Sequence, residues 1–133
     1  MFDNYQNVMA NESILIVDDS PLTLKMVKFL LQSQGYVVWT ASGGAEALSI
    51  LPAIKPRLVL MDMQMAGLDG LETTRRIKAS PDTRGIIVVA LTASAMKGDE
   101  EKALTAGCDG YITKPFENPK LLSCIREYLD ASG

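Results

Sequence analysis

Three stretches of unbroken apolar residues limit what this chain can become: Ile14-Leu15-Ile16-Val17, Leu58-Val59-Leu60-Met61 and Ile86-Ile87-Val88-Val89-Ala90-Leu91. A strand with one wet face alternates apolar and polar residues, whereas a strand covered on both faces does not need to. Runs of this length are too short to cross a bilayer and read as strands of a parallel sheet buried between two layers. Parallel strands require crossover connections, usually helices, so the intervening sequence must supply them.

It does. The first strand, 13–17, is followed by Ser20-Pro21, a hydroxyl N-cap with proline at the first helical position. Leu22, Met26, Val27, Leu30 and Leu31 are expected on one buried face of that helix, which Gly35 ends. A second, more amphipathic strand spans 36–40, and a short helix over 44–51 is stopped by Pro52 and Pro56. After the third strand, Asp69-Gly70-Leu71-Glu72 has the capping-box pattern, with Asp69 as N-cap and Glu72 reaching back, and opens a helix to residue 79. The fourth strand, 86–91, ends on Thr92. The helix expected over 95–106 has Gly98 near its start and a weak apolar face, which makes it intrinsically the least stable helix of the chain. Gly110-Tyr111-Ile112-Thr113 is a short fifth strand that ends at Lys114-Pro115. Asn118-Pro119 opens the last helix, whose apolar face is Leu121, Leu122, Ile125 and Leu129.

Strands alternating with helices in this way predict an α/β fold: a doubly wound, five-stranded parallel sheet in a flavodoxin-like (βα)5 three-layer sandwich. Placing the three most apolar strands centrally gives the order 2-1-3-4-5, with a crevice between strands one and three. Residues 13–130 form the domain, with 1–12 as a flexible N-terminal tail and 131–133 as a C-terminal tail.

Composition removes several chemistries. The chain has no histidine, so Ser-His-Asp and Cys-His catalysis and histidine-ligated zinc are excluded. Cys108 and Cys124 form neither a CxxC pair nor a metal cluster and read as small buried or half-buried residues. A formal net charge of −3 without a basic block argues against nucleic acid as a direct partner. No stretch resembles a signal peptide or a membrane span, so a cytoplasmic location with no membrane partner is expected.

The chemistry emerges when the strand ends are collected. The first strand delivers Asp18 and Asp19, the third Asp62, the fourth Thr92 and the fifth Lys114. Parallel strands share their carboxyl ends, so all five side chains belong to one edge of the sheet. Singly, each has a plain structural reading, as a helix cap or an ion-pair partner; their coincidence on successive strands is what points to a site. Three ionised carboxylates need counter-charge, and Lys114 supplies one positive charge. The candidate ligands are all hard oxygens, so Mg²⁺ is the natural occupant. A site with Mg²⁺, a lysine and a hydroxyl suits a phosphoryl group, with Asp62 as a candidate nucleophile forming an acyl phosphate.

Asp18-Asp19 after a buried strand, Asp62, Asp69-Gly70, Thr92-Ala93 and Tyr111 before Lys114-Pro115 together resemble the receiver domain of two-component response regulators, CheY-like and of the single-domain type. The stretch from Ala93 to Gly110 is most similar to stand-alone cell-cycle and phosphorelay regulators. The resemblance implies that Asp62 accepts a phosphoryl group from a histidine kinase or a histidine phosphotransfer protein. It implies that Asp19 and Asp62 bind Mg²⁺ directly, Asp18 through water, and Gln64 through its backbone carbonyl. Lys114 and Thr92 would hold the phosphoryl oxygens, and Tyr111 would be the switching aromatic. The Lys114–Pro115 peptide would be cis, and Gln64 and Ser94 would tune the lifetime of the phosphorylated state. The activity would be that of a phosphoacceptor switch, with a downstream protein reading 95–106, 110–113 and 118–130.

The chain departs from the family pattern at Ala66, where proline is usual, and at Leu68, where methionine is common. Ala66 is expected to loosen the loop but to touch no ligand. A haloacid-dehalogenase-type phosphatase would need a second carboxylate two residues after Asp62, where this chain has Gln64. A flavodoxin-like electron carrier would need a phosphate-cradling first loop, and Asp18-Asp19 would repel phosphate. A receiver detached from a hybrid histidine kinase shares the chemistry and differs only in partner.

Overall fold

Both faces of the long apolar runs are covered, and each run becomes a strand. The computed structural model describes residues 12–93 and 97–132. In chain order the elements are β1 (Ser13–Val17), α1 (Pro21–Ser33), β2 (Val37–Ala41), α2 (Gly44–Ile54), β3 (Leu58–Asp62), α3 (Gly70–Ala79), β4 (Ile87–Thr92), α4 (Lys97–Ala106), β5 (Gly110–Thr113) and α5 (Asn118–Ser132). The strands are all parallel in the order β2-β1-β3-β4-β5, the expected topology.

Successive residues of a strand point to opposite faces, and the core divides accordingly. Ile14, Ile16, Leu58, Leu60, Val89 and Leu91 pack with Val27 and Leu31 of α1 and Leu121, Ile125 and Leu129 of α5. Leu15, Val17, Val59, Met61, Val88 and Ala90 pack with Ala47 and Leu51 of α2, Ile77 of α3 and Ala103 of α4. Cys108 is buried and Cys124 half-buried, and both are free thiols.

Local signals are mostly realised, with three corrections. Ser20 caps α1 by accepting the N–H of Thr23 at 3.3 Å. Only Val27 and Leu31 of the expected face of α1 are buried; Leu22 and Met26 are 66% and 60% exposed and, with Phe29 at 76%, make an apolar stripe on solvent. At about 100° per residue, Met26 lies a full step around the helix from Val27, so one contiguous apolar arc is split between core and water. α2 runs past Leu51 to Ile54 with Pro52 inside its last turn; it ends at Lys55, whose φ of 42° is left-handed and whose N–H donates to the Leu51 carbonyl at 2.9 Å. Asp69 caps α3 by accepting the N–H of Glu72 at 2.9 Å, but the Glu72 carboxylate turns to Arg75 and Arg76, 3.2 Å from each, instead of back to the cap. α5 extends to Ser132, and Glu12 is held firmly, its carbonyl accepting the N–H of Val37 at 3.0 Å. Residues 1–11 of the expected tail lie outside the described residues.

The foot of the sheet, opposite the strand ends, is closed by an ionic knot. The Glu12 carboxylate, 12% exposed, receives Arg57 at 2.8 Å and Arg126 at 2.7 and 3.1 Å. Arg57 also donates to the Leu129 carbonyl at 3.2 Å, and Arg126 pairs with Asp130 at 2.9 Å. These contacts fasten the C-terminal half of α5 to the start of β1 and β3.

Candidate functional site

β1 and β3 are neighbours in the sheet, yet the helices that follow them, α1 and α3, pack on opposite faces. The two outgoing loops therefore diverge and leave a crevice at the strand ends. Register sets what stands around it. Val17 pairs with Met61, so Asp18 emerges level with Asp62, and Asp62 pairs with Leu91, one residue before Thr92. Thr92 pairs with Thr113, which brings Lys114 just beyond.

The predicted residues converge. One carboxylate oxygen from each of Asp18, Asp19 and Asp62 lies within 4.8 Å of the others. Lys114 Nζ is 3.0 Å from Asp18 Oδ2 and 3.5 Å from Asp62 Oδ1. The Lys114–Pro115 bond is cis, and the Lys114 N–H donates to the Thr92 carbonyl at 2.6 Å. Asp18 is 1% exposed and has both oxygens engaged, Oδ1 accepting the N–H of Ser20 at 2.9 Å and Oδ2 meeting Lys114. Asp62 is 5% exposed, and its Oδ1 accepts the N–H of Gln64 at 3.1 Å. Asp19 is exposed. Thr92 is buried at the end of β4. Tyr111, half-buried on β5, hydrogen-bonds Glu100 of α4, and that carboxylate raises its phenol above the ordinary value. Ser94 lies outside the described residues, as do the first two positions of the helix expected over 95–106.

The site carries more negative charge than Lys114 balances. Burial pushes the Asp62 carboxyl above its ordinary range; the Gln64 N–H and Lys114 oppose this, while Asp18 and Asp19 add to it. Oxygen donors of one kind, held close and short of positive charge, fit a hard divalent cation such as Mg²⁺.

Glycine at position 70 has a steric reason. A Cβ there would overlap the Asp62 carbonyl oxygen and lie 2.8 Å from Met63 Cα, so the first turn of α3 can pack on the acidic strand end only without a side chain.

Two features were not foreseen. The Ala66 N–H donates to Asp19 Oδ2 at 3.3 Å, so Ala66 does touch a residue of the site; a backbone donor has no signature in residue type. An apolar groove of about 530 Å³ also runs between α1 and the loop after β5, past Met26, Val27, Leu30, Pro115 and Phe116, to Lys114.

Residues 14–126 match the family model of the response regulator receiver domain. The chain belongs to this family. The receiver is 40% identical over 118 residues to the polar-differentiation response regulator DivK of Brucella anthropi, a match covering 89% of this chain and 96% of that protein. Its fold superposes on the signal receiver domain of a signal transduction histidine kinase from Syntrophus aciditrophicus with a TM-score of 0.84 at 34% identity, covering 91% of this chain and 92% of that one. The receiver domain of a sensor histidine kinase from Pseudomonas aeruginosa, with a magnesium ion coordinated in its active-site cleft, matches with a TM-score of 0.83 at 32% identity, covering 90% and 98%. The receiver therefore serves two-component signalling as a phosphoacceptor switch and not as a conventional enzyme, and membership implies a histidine kinase as partner. Among the described residues, no helix is long and apolar enough to cross a membrane.

Proposed function

We propose that this receiver accepts a phosphoryl group on Asp62 from the phosphohistidine of a cytoplasmic histidine kinase or histidine phosphotransfer protein. The observation that carries this reading is the distribution of contacts over the acidic cluster. Asp18 has both oxygens occupied, whereas the Gln64 N–H and Lys114 both fall on Oδ1 of Asp62. Lys114 pairs with Asp18 and Asp62, and of these two Asp62 is the one with an oxygen left for phosphorus, so Oδ2 of Asp62 is the nucleophile in this reading. It attacks phosphorus, the P–N bond breaks with its electron pair returning to the donor imidazole, and an acyl phosphate forms.

Asp19, Asp62 and the Gln64 carbonyl would hold Mg²⁺ directly and Asp18 through water, in keeping with the hard-oxygen donor set. When bound, the ion neutralises charge on the phosphoryl oxygens. Lys114, already within 3.5 Å of Asp62, holds a phosphoryl oxygen, and Thr92 at the neighbouring strand end donates to another.

Switching would run through Thr92 and Tyr111 to α4, β5 and α5, the face a downstream protein reads. α4 buries Ala103 and Ala106, small side chains that cost little to displace. The phosphodonor docks on the other side, against the stripe of Leu22, Met26 and Phe29, which borders the groove leading to Lys114.

Incubation with Mg²⁺ and a small acyl phosphate should add one phosphoryl group by intact mass, and Asp62→Asn should take up none. Stoichiometric labelling of that variant would place the nucleophile elsewhere. Structural relatives that are receivers of histidine kinases support a second reading, in which the chain is the receiver of a hybrid kinase. Phosphotransfer profiling against the kinases of the source organism separates the two.

A further inference from the structure

The three carboxylates of the site are not held alike. Asp18 and Asp62 each accept an N–H from two residues further along their own turn, Ser20 and Gln64, and both are near Lys114. Asp19 is the exposed one, and its hydrogen bond comes from 47 residues away, from the N–H of Ala66 at 3.3 Å. That N–H is well fixed. Met65 on one side is buried in the second core, and Gly67 on the other turns the chain with a φ of 75°, a conformation few other residues adopt.

We propose that Ala66 is a positioning residue for the metal site, its backbone N–H holding the exposed Asp19 carboxylate among the other two. The inference rests on the reading of Asp19 as a Mg²⁺ ligand. Left alone, Asp19 would turn away from two like charges and sample its rotamers in solvent, and the ion would have to order it on binding. An N–H at Oδ2 leaves the charge on the carboxylate and the other oxygen available, so the ordering is done beforehand.

The test is Mg²⁺ titration by calorimetry on the unphosphorylated chain. Ala66→Pro deletes the donor, and an ester at residue 66, with alanine replaced by lactate, deletes it without a ring; Ala66→Gly keeps it. Affinity should fall about fivefold in the first two, the effect of ordering one side chain, and stay within about twofold in the third. On an Asp19→Asn background, Ala66→Pro should cost nothing further. Unchanged or tighter binding in the proline and ester forms overturns the proposal. So does a loss in the proline form alone, which would be ring strain, or an equal loss on the Asp19→Asn background. If Asp19→Asn itself binds Mg²⁺ like the parent, the reading of Asp19 as ligand falls, and the inference with it.

Discussion

The ammonium of Lys114, which leaves the sheet from edge strand β5, lies 3.0 Å from Asp18 Oδ2 at the end of β1, with β3 and β4 between them. One cation thus spans the crevice and touches Asp62 on the way. Its reach eases the repulsion between Asp18 and Asp62, and it separates two roles that substitution can pull apart.

Lys114→Ala removes a positive charge that competes with the metal for Asp18 and Asp62. Mg²⁺ affinity should hold or rise by calorimetry. Labelling by a small acyl phosphate should nonetheless slow about 10- to 100-fold, the weight of one charged hydrogen bond at the transferring group. A fall in Mg²⁺ affinity would sink the charge argument.

Thr92→Ala should still accept phosphate yet lose the link to the output face. A partner shifts the equilibrium only by its differential affinity for the two states, tenfold for about 1.4 kcal/mol. Amide shifts recorded with and without a phosphoryl mimic should spread through Tyr111 and α4 in the parent and stay local in the variant. If the largest remote changes fall on α1, the switch runs by another route.

Glu12→Ala leaves Arg57 and Arg126 without their shared carboxylate. With Glu12 12% exposed and the arginines at 40% and 28%, the pairs sit between surface and buried regimes. The loss should be about 2 kcal/mol by denaturant titration, between the ~0–1 of surface pairs and the ~3–5 of buried ones. Uptake of phosphate at Asp62 should persist.

Burial pushes the Cys108 thiol above its ordinary value; its bond to Thr74 and the charge of Lys78 oppose this, while Asp109 reinforces it. Cys124 should therefore alkylate readily, with Cys108 roughly a hundredfold slower because it waits for opening of the fold. As pH rises from the ordinary thiol value toward the raised one, the unfolded chain loses the proton first and stability falls. Thermal melts of Cys108→Ala should show a shallower alkaline decline than the parent.

Strand order is legible from apolar continuity alone: β1, β3 and β4 are unbroken and central, while Val37 and Trp39 of edge strand β2 are 45% and 44% exposed. The site is legible for a related reason, since parallel strands collect their last residues at one edge. The hidden parts are of three kinds. Hydrophobicity reads as burial, so the wet stripe of Leu22, Met26 and Phe29 passes for core. A backbone donor such as the Ala66 N–H is the same in every residue but proline. Contacts such as Glu12 with Arg57 and Arg126, 45 and 114 residues apart, follow from tertiary placement that no local pattern encodes.

The knot at Glu12 also gives the molecule a fulcrum. α5 begins beside the site, just after Pro115 and Phe116, and is tied down at Arg126 and Leu129. Eight residues at 1.5 Å each separate Asn118 from Arg126, an arm of about 12 Å. A rod fixed at its far end cannot slide; it can only swing. In the switch proposed above, a displacement passed to α5 would therefore show as a tilt of its first turns, largest near Asn118 and vanishing toward Arg126.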